Sequence, residues 1–216
     1  MKKIAVILSG CGVYDGSEVH EAVLTLLALA EAGAKVQCFA PDMAQHHVIN
    51  HLTGEEMPEQ RNVLVESARI ARGQVKDIGE LRVADFDGLI LPGGFGAAKN
   101  LCDFAFEGED CQVQPDVLTA LKAFAKAHKP VGYICIAPVM IPRVYDKGVK
   151  GTIGTDKGTA AAFNAMGGDH QSCPVDEFRV DEANKVVSTP AYMLAGSILE
   201  AKSGIDKLVK EVLRLA

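Results

Sequence analysis

Pro130-Val131-Gly132-Tyr133-Ile134-Cys135-Ile136-Ala137-Pro138 decides how this chain folds. A short apolar run stops at a cysteine, and small residues and a proline follow. The run reads as a strand buried on both faces, as in a parallel sheet. Pro138 suits a first helical turn, where its missing N–H is not needed. A sharp strand-to-helix turn is where α/β enzymes place a nucleophile. The pattern recurs upstream. Asp87–Leu91 is an apolar strand running into Pro92-Gly93-Gly94-Phe95-Gly96, and Lys3–Leu8 is another, ended by Ser9-Gly10-Cys11-Gly12.

Helical spacing fills the intervals. A helix is expected from about Glu18 to Ala32, with Val19, Val23, Leu26, Leu27 and Ala30 on one face. Asp15 or Ser17 can cap it, and Gly33 can end it in the left-handed conformation. Lys35–Phe39 completes a strand–helix–strand unit. Residues 43–60 are polar and irregular, an excursion from the sheet. Further helices are expected over 62–72, 97–106, 116–128, 136–145 and 158–166, with an acidic loop at 107–110. Phe178–Val180 and Lys185–Ser188 read as an antiparallel pair. A last helix sets Ile198, Ile205, Leu208, Val209 and Val212 on one side. Alternating strands and helices predict an α/β fold, an open, mostly parallel sheet with helices on both faces, in one domain over residues 1–216. Ligands of such sheets bind at the carboxyl ends of the strands.

Composition narrows the chemistry. Of 216 residues, 22 are Lys or Arg and 28 Asp or Glu, for a net charge of −6. That balance argues against nucleic acid, which requires a basic face. No apolar stretch approaches the ~18 residues of a membrane span. The amino terminus lacks a full apolar signal core, so a cytoplasmic compartment is expected. The six cysteines are then thiols, and none forms a CxxC pair. His47 and His51 would share a helix face, but no HExxH pattern or third ligand accompanies them, so no metal site is expected there.

Cys135 is the candidate nucleophile. A helix N-terminus would lower its pKa, and nearby amides could hold an oxyanion. The competing reading is a buried structural thiol. Gly93 and Gly94 could offer bare N–H groups beside it, or form a plain turn. No Gly-x-x-x-x-Gly-Lys-Ser/Thr loop is present. Glu18 and Glu21, near the end of the first strand, could supply a protonated acid beside the thiol or simply cap the helix. Cys11 and Asp15 could line the same mouth.

Residues 91–101 (Leu-Pro-Gly-Gly-Phe-Gly-Ala-Ala-Lys-Asn-Leu), the Gly-Tyr-Ile-Cys-Ile-Ala-Pro elbow and Asn-His-Leu-Thr-Gly-Glu at 50–55 together resemble the ElbB group of isoprenoid-biosynthesis glyoxalases. That group lies among PfpI-like proteases, Parkinson-disease-associated deglycases and class I glutamine amidotransferases. The resemblance spans essentially the whole chain, including 167–170, 188–194 and 203–209. It implies a flavodoxin-like three-layer sandwich, usually a homodimer. It also implies Cys135 as nucleophile, Glu21 as its contacting acid, and an oxyanion site at Gly93, Gly94 and the amides around Cys135 and Ile136. The implied reaction is cofactor-free conversion of a small dicarbonyl, glyoxal or methylglyoxal, to a 2-hydroxy acid. Relatives with a Cys–His dyad often carry histidine directly after the cysteine; here that residue is Ile136. His170 matches a different position and is only a candidate pocket residue. The alternatives are a redox or stress-response protein with an oxidisable cysteine, or a degenerate amidotransferase-like binding module.

Overall fold

The computed structural model describes residues 1–216. Nine strands follow one another: β1 (Lys3–Ile7), β2 (Lys35–Ala40), β3 (Val75–Asp77), β4 (Gly88–Leu91), β5 (Val131–Ile134), β6 (Lys150–Gly151), β7 (Asp169–His170), β8 (Arg179–Asp181) and β9 (Val186–Thr189). Eight α-helices join them: α1 (Val19–Glu31), α2 (Val63–Ile70), α3 (Phe95–Lys99), α4 (Phe104–Glu107), α5 (Pro115–Lys126), α6 (Ile141–Val144), α7 (Lys157–Ala165) and α8 (Ile198–Leu215). Seven strands form one sheet in the order β3-β2-β1-β4-β5-β9-β8, parallel except for β8. Strands β6 and β7 pair separately.

Alternate residues of each central strand enter opposite cores, as the two-residue period of a strand requires. Ala5, Ile7, Leu89, Leu91, Val131 and Tyr133 pack with Val117, Leu121 and Phe124 of α5. Ile4, Val6, Leu8, Ile90 and Ile134 pack with Ala22 and Leu29 of α1 and with Ile205, Leu208 and Val212 of α8. The result is the expected flavodoxin-like sandwich. No helix is long and apolar enough to cross a membrane.

Strand β3, with three residues and none of them buried, is too short for a periodic signal. Three local expectations need correction. The helix expected over 97–106 breaks into α3 and α4. Asn100 ends the first piece because its side-chain amide donates to Ser9 O and Asp15 O, and Cys102 then pairs with Val113. The helix expected over 136–145 is a 3₁₀ turn, Ala137–Met140, followed by the short α6.

The third correction concerns α1. Its cap is Glu18, whose carboxylate accepts from Glu21 N at 2.7 Å; neither Asp15 nor Ser17 caps it. Its buried face is Glu21, Ala22, Leu24, Thr25, Ala28 and Leu29, whereas Val19, Val23 and Leu27 are exposed. The buried stripe therefore contains two polar residues. Thr25 satisfies itself by donating to Glu21 O at 2.7 Å. Glu21 is satisfied by partners from other elements.

Candidate active site

Cys135 directly follows β5 with φ of +62°, a left-handed conformation uncommon for a residue with a Cβ. Strain of this kind persists only where the surroundings enforce it. Here the Cys135 N–H donates to Thr189 O of the neighbouring β9 at 3.0 Å. The side chain is 7% exposed.

Glu21 reaches the same point from α1. Its carboxyl accepts from Gly93 N at 2.9 Å and from Tyr192 N at 3.1 Å, and it hydrogen-bonds the Cys135 sulfur. The acid is fully buried. Burial dominates over the two amide donors and pushes its pKa up to about 8. Burial also pushes the Cys135 thiol well above the ordinary cysteine value, and the charge of Glu21 adds to that. The N–H groups of Gly94 and Ile136 pull in the opposite direction by hydrogen-bonding the sulfur. The expectation of a thiol acidified by a helix N-terminus is therefore corrected. The chain after Cys135 is a 3₁₀ turn, without a helix long enough to supply a strong dipole. Acid and thiol both hold their protons more tightly than free groups do.

The oxyanion assignment is sharpened. Gly93 N is spent on Glu21, and Cys135 N is spent on Thr189 O. Gly94 N and Ile136 N remain for a negative charge at the sulfur or an adjacent oxygen. Gly93 contributes instead by being small. A Cβ there would lie 2.4 Å from Cys135 Cβ and 2.7 Å from Glu21 Oε2. Gly94 has φ of +91° and touches the loop before α1, where a Cβ would come 2.2 Å from Glu18 N.

A cavity of about 470 Å³ opens onto Cys135. Gly94, Ile136, Glu18 and Tyr192 line it, with Phe95, Phe104 and Met193 as larger walls. No histidine lines it. Cys11, Asp15 and His170 are not among its lining residues. Asp15 accepts from Ile49 N at 2.7 Å and lies 3.9 Å from His51 Nε2, so it fastens the excursion of residues 43–60. His51 orders the same loop by accepting from Tyr14 N at 3.2 Å. Cys11 is half-buried, and burial raises its pKa. His170 accepts from Ile153 N at 3.2 Å and packs against Phe163. Of the other thiols, burial raises Cys38 and Cys173 to about 11. Cys111 is held down to about 7, chiefly by a hydrogen bond from Cys102.

Two contributors escaped the sequence reading: Thr189, which anchors the elbow, and Tyr192, which holds Glu21. Both follow from β9 lying parallel beside β5. Reading 178–188 as an antiparallel pair alone left the end of β9 unplaced. The signal available was Ser188-Thr189-Pro190, a strand stopped by proline like Leu91-Pro92.

A left-handed cysteine at the end of a central strand, beside a fully buried glutamate, gives this α/β domain its candidate site. A model described as the DJ-1/PfpI family matches residues 2–153, and the chain belongs to that family. It is 48% identical to the rat ES1 protein homolog, mitochondrial, covering 99% of this chain and 84% of the relative. It is similar to the crystal structure of an isoprenoid biosynthesis protein with an amidotransferase-like domain from Ehrlichia chaffeensis. There the TM-score is 0.93 and the identity 39%, over 100% of this chain and 99% of that one. Glyoxalase III from Candida albicans shares the fold, with a TM-score of 0.65 and 15% identity over 99% and 97% of the two chains. The expected ElbB grouping thus holds for the family and the amidotransferase-like fold, while the curated relatives are ES1 and glutamine amidotransferase-like proteins. The cytoplasmic expectation is overturned: the curated relatives from rat, human and zebrafish are mitochondrial proteins. Free thiols and an acidic surface suit either reducing compartment, so composition had no power to separate them.

Proposed function

We propose that this protein is a cofactor-free glyoxalase that converts a 2-oxoaldehyde to a 2-hydroxy acid through Cys135. Its family includes glyoxalase III enzymes and stress-response proteins. The observation that carries the reading is the contact between Glu21 and Cys135, with Gly94 N and Ile136 N directed at the sulfur.

The reaction adds one water and needs no oxidant. Cys135 thiolate attacks the aldehyde carbon, and Glu21 gives its proton to the oxygen, leaving a hemithioacetal. Gly94 and Ile136 amides stabilise that oxygen as charge develops. Glu21 carboxylate then removes the hydrogen of the former aldehyde carbon, and the electron pair flows toward the neighbouring carbonyl. A proton returned to that neighbouring carbon gives a 2-hydroxy thioester. Water cleaves the thioester, releasing the 2-hydroxy acid and regenerating the thiolate. Protease and amidotransferase chemistry is less well supported, since no histidine lines the cavity to serve as base.

The test is consumption of glyoxal by the pure protein with glycolate as product, followed by NMR. Its pH profile has a definite sign. Below about 8 Glu21 keeps its proton, and the thiol, raised further, keeps its own. One proton leaves the pair as pH rises through that value, creating the form able to attack. The kcat/KM is therefore expected to climb toward a plateau above about pH 8. A profile flat from about pH 6 to about pH 9 overturns the shared-proton mechanism. Glu21→Gln removes the proton carrier and is expected to lower turnover by on the order of 10²–10⁴, measured at the plateau.

A further inference from the structure

A second thiol centre flanks α4, the helix that supplies Phe104 and Ala105 to the cavity wall. Residues 101–114 fold back on themselves. Gln114 N donates to Leu101 O at 2.9 Å, Cys102 bridges antiparallel to Val113, and Asp103 N donates to Gln112 O at 3.2 Å. Cys111 therefore stands diagonally across from Cys102, two residues before its partner Val113, on the same face. Both are free thiols, and they hydrogen-bond each other. The segment between them is α4 and the 3₁₀ turn Gly108–Asp110.

Arg143 of α6 reaches this pair. Its Nη2 donates to Glu109 O. Its Nε is buried with no oxygen or nitrogen to donate to, and the guanidinium bonds the Cys111 sulfur. Cys111 is held down to about 7, first by the hydrogen bond from Cys102 and then by Arg143. The same thiol–thiol bond, with burial, pushes Cys102 well above the ordinary cysteine value. One sulfur is thus prepared to attack, and the other stands beside it to resolve the product.

Access favours a small reagent. Cys111 has no exposed surface and Cys102 has 3%, and Met166 Sδ covers Cys111 Sγ at 3.7 Å. The surrounding Glu109, Asp110 and Gln112 are exposed, and α4 has only four residues, so local opening costs little.

We propose that Cys102 and Cys111 form a dithiol site that a small hydroperoxide converts to a disulfide, separate from the chemistry of Cys135. Cys111 thiolate attacks the terminal peroxide oxygen. An S–O bond forms, the O–O bond breaks, and the departing oxygen takes the proton that Cys111 gave up. Sulfur has lost two electrons and the peroxide has gained them. The Cys102 sulfur then attacks the Cys111 sulfenic acid. An S–S bond forms, the S–O bond breaks, and the hydroxyl leaves with the Cys102 proton as water. One dithiol and one hydroperoxide give one disulfide, one alcohol (water, when the oxidant is hydrogen peroxide) and one water.

The experiment exposes the full chain to hydrogen peroxide at neutral pH. Samples are quenched, unfolded, alkylated with iodoacetamide and digested with trypsin for mass spectrometry. Lys99 and Lys122 bracket both cysteines in one peptide, and Cys135 falls in another. Peptide 100–122 is expected to lose two hydrogens and both labels about ten-fold faster than Cys135 loses its label. Arg143→Gln is expected to slow disulfide formation by about three- to ten-fold. Cys102→Ser should leave Cys111 as a sulfenic acid that dimedone traps. A thermal melt shows whether each variant is folded; if one is not, the parent measurement decides alone. Loss of label at Cys135 first, with Cys102 and Cys111 still alkylated, overturns the proposal. Disulfide formation at the parent rate in folded Arg143→Gln overturns the activation of Cys111 by that residue.

Discussion

Cys135→Ser is expected to abolish conversion of glyoxal, with a loss on the order of 10⁴-fold in kcat. A serine hydroxyl remains neutral where a thiol can ionise, and no base stronger than Glu21 adjoins it to compensate. The fold should survive. Serine is slightly smaller than cysteine, and Glu21 can hydrogen-bond its hydroxyl. The Cys135 backbone bond to Thr189 O is untouched. The check is turnover beside a thermal melt: unchanged melting with activity lost supports the covalent mechanism. Activity within about ten-fold of the parent, in a folded variant, removes Cys135 from the chemistry.

Gly93→Ala is expected to damage both stability and activity. The added methyl would sit 2.4 Å from Cys135 Cβ, 2.7 Å from Glu21 Oε2 and 2.9 Å from Ile134 O. None of these can move freely. Cys135 is fixed by its elbow, Ile134 belongs to β5, and Glu21 is tied by two amides. Overpacking in a rigid core costs about 1–3 kcal/mol and occasionally more, and this contact belongs at the upper end. About 3 kcal/mol would lower the melting temperature by roughly 6–12 °C in a domain of this size. Urea unfolding measures the stability loss, and glyoxal assays below the transition measure the site. A variant as stable and active as the parent would show that the methyl is accommodated and the contact is slack.

The sheet was legible because β1, β4 and β5 are short apolar runs stopped by glycine, proline or cysteine, a pattern few other structures produce. The candidate nucleophile followed from its place at one such stop. What failed was the face of α1. Val19, Val23 and Leu27 look like a core stripe, yet they face solvent. The true stripe runs through Glu21 and Thr25, and a search for apolar periodicity discards it. Sequence rules break where function places a polar group inside, so the misread face coincided with the site. Glu21 itself was found through resemblance, since a carboxylate near a helix start is more often a cap. Glu18, three residues earlier, is that cap. Thr189 and Tyr192 were illegible for another reason: strand neighbours are set by topology, and β9 meets β5 only after a crossover.

The ties that hold Glu21 have a consequence for how the molecule is made. Its two amide partners stand 72 and 171 positions further along the chain. A polypeptide growing from its amino terminus holds Cys135 long before Tyr192 exists. During that interval the thiol has neither its buried acid nor its β9 anchor, and it behaves as an ordinary cysteine. The arrangement proposed for carbonyl chemistry is thus complete only once the last quarter of the chain has been laid down. A half-made molecule carries the thiol without the acid held against it.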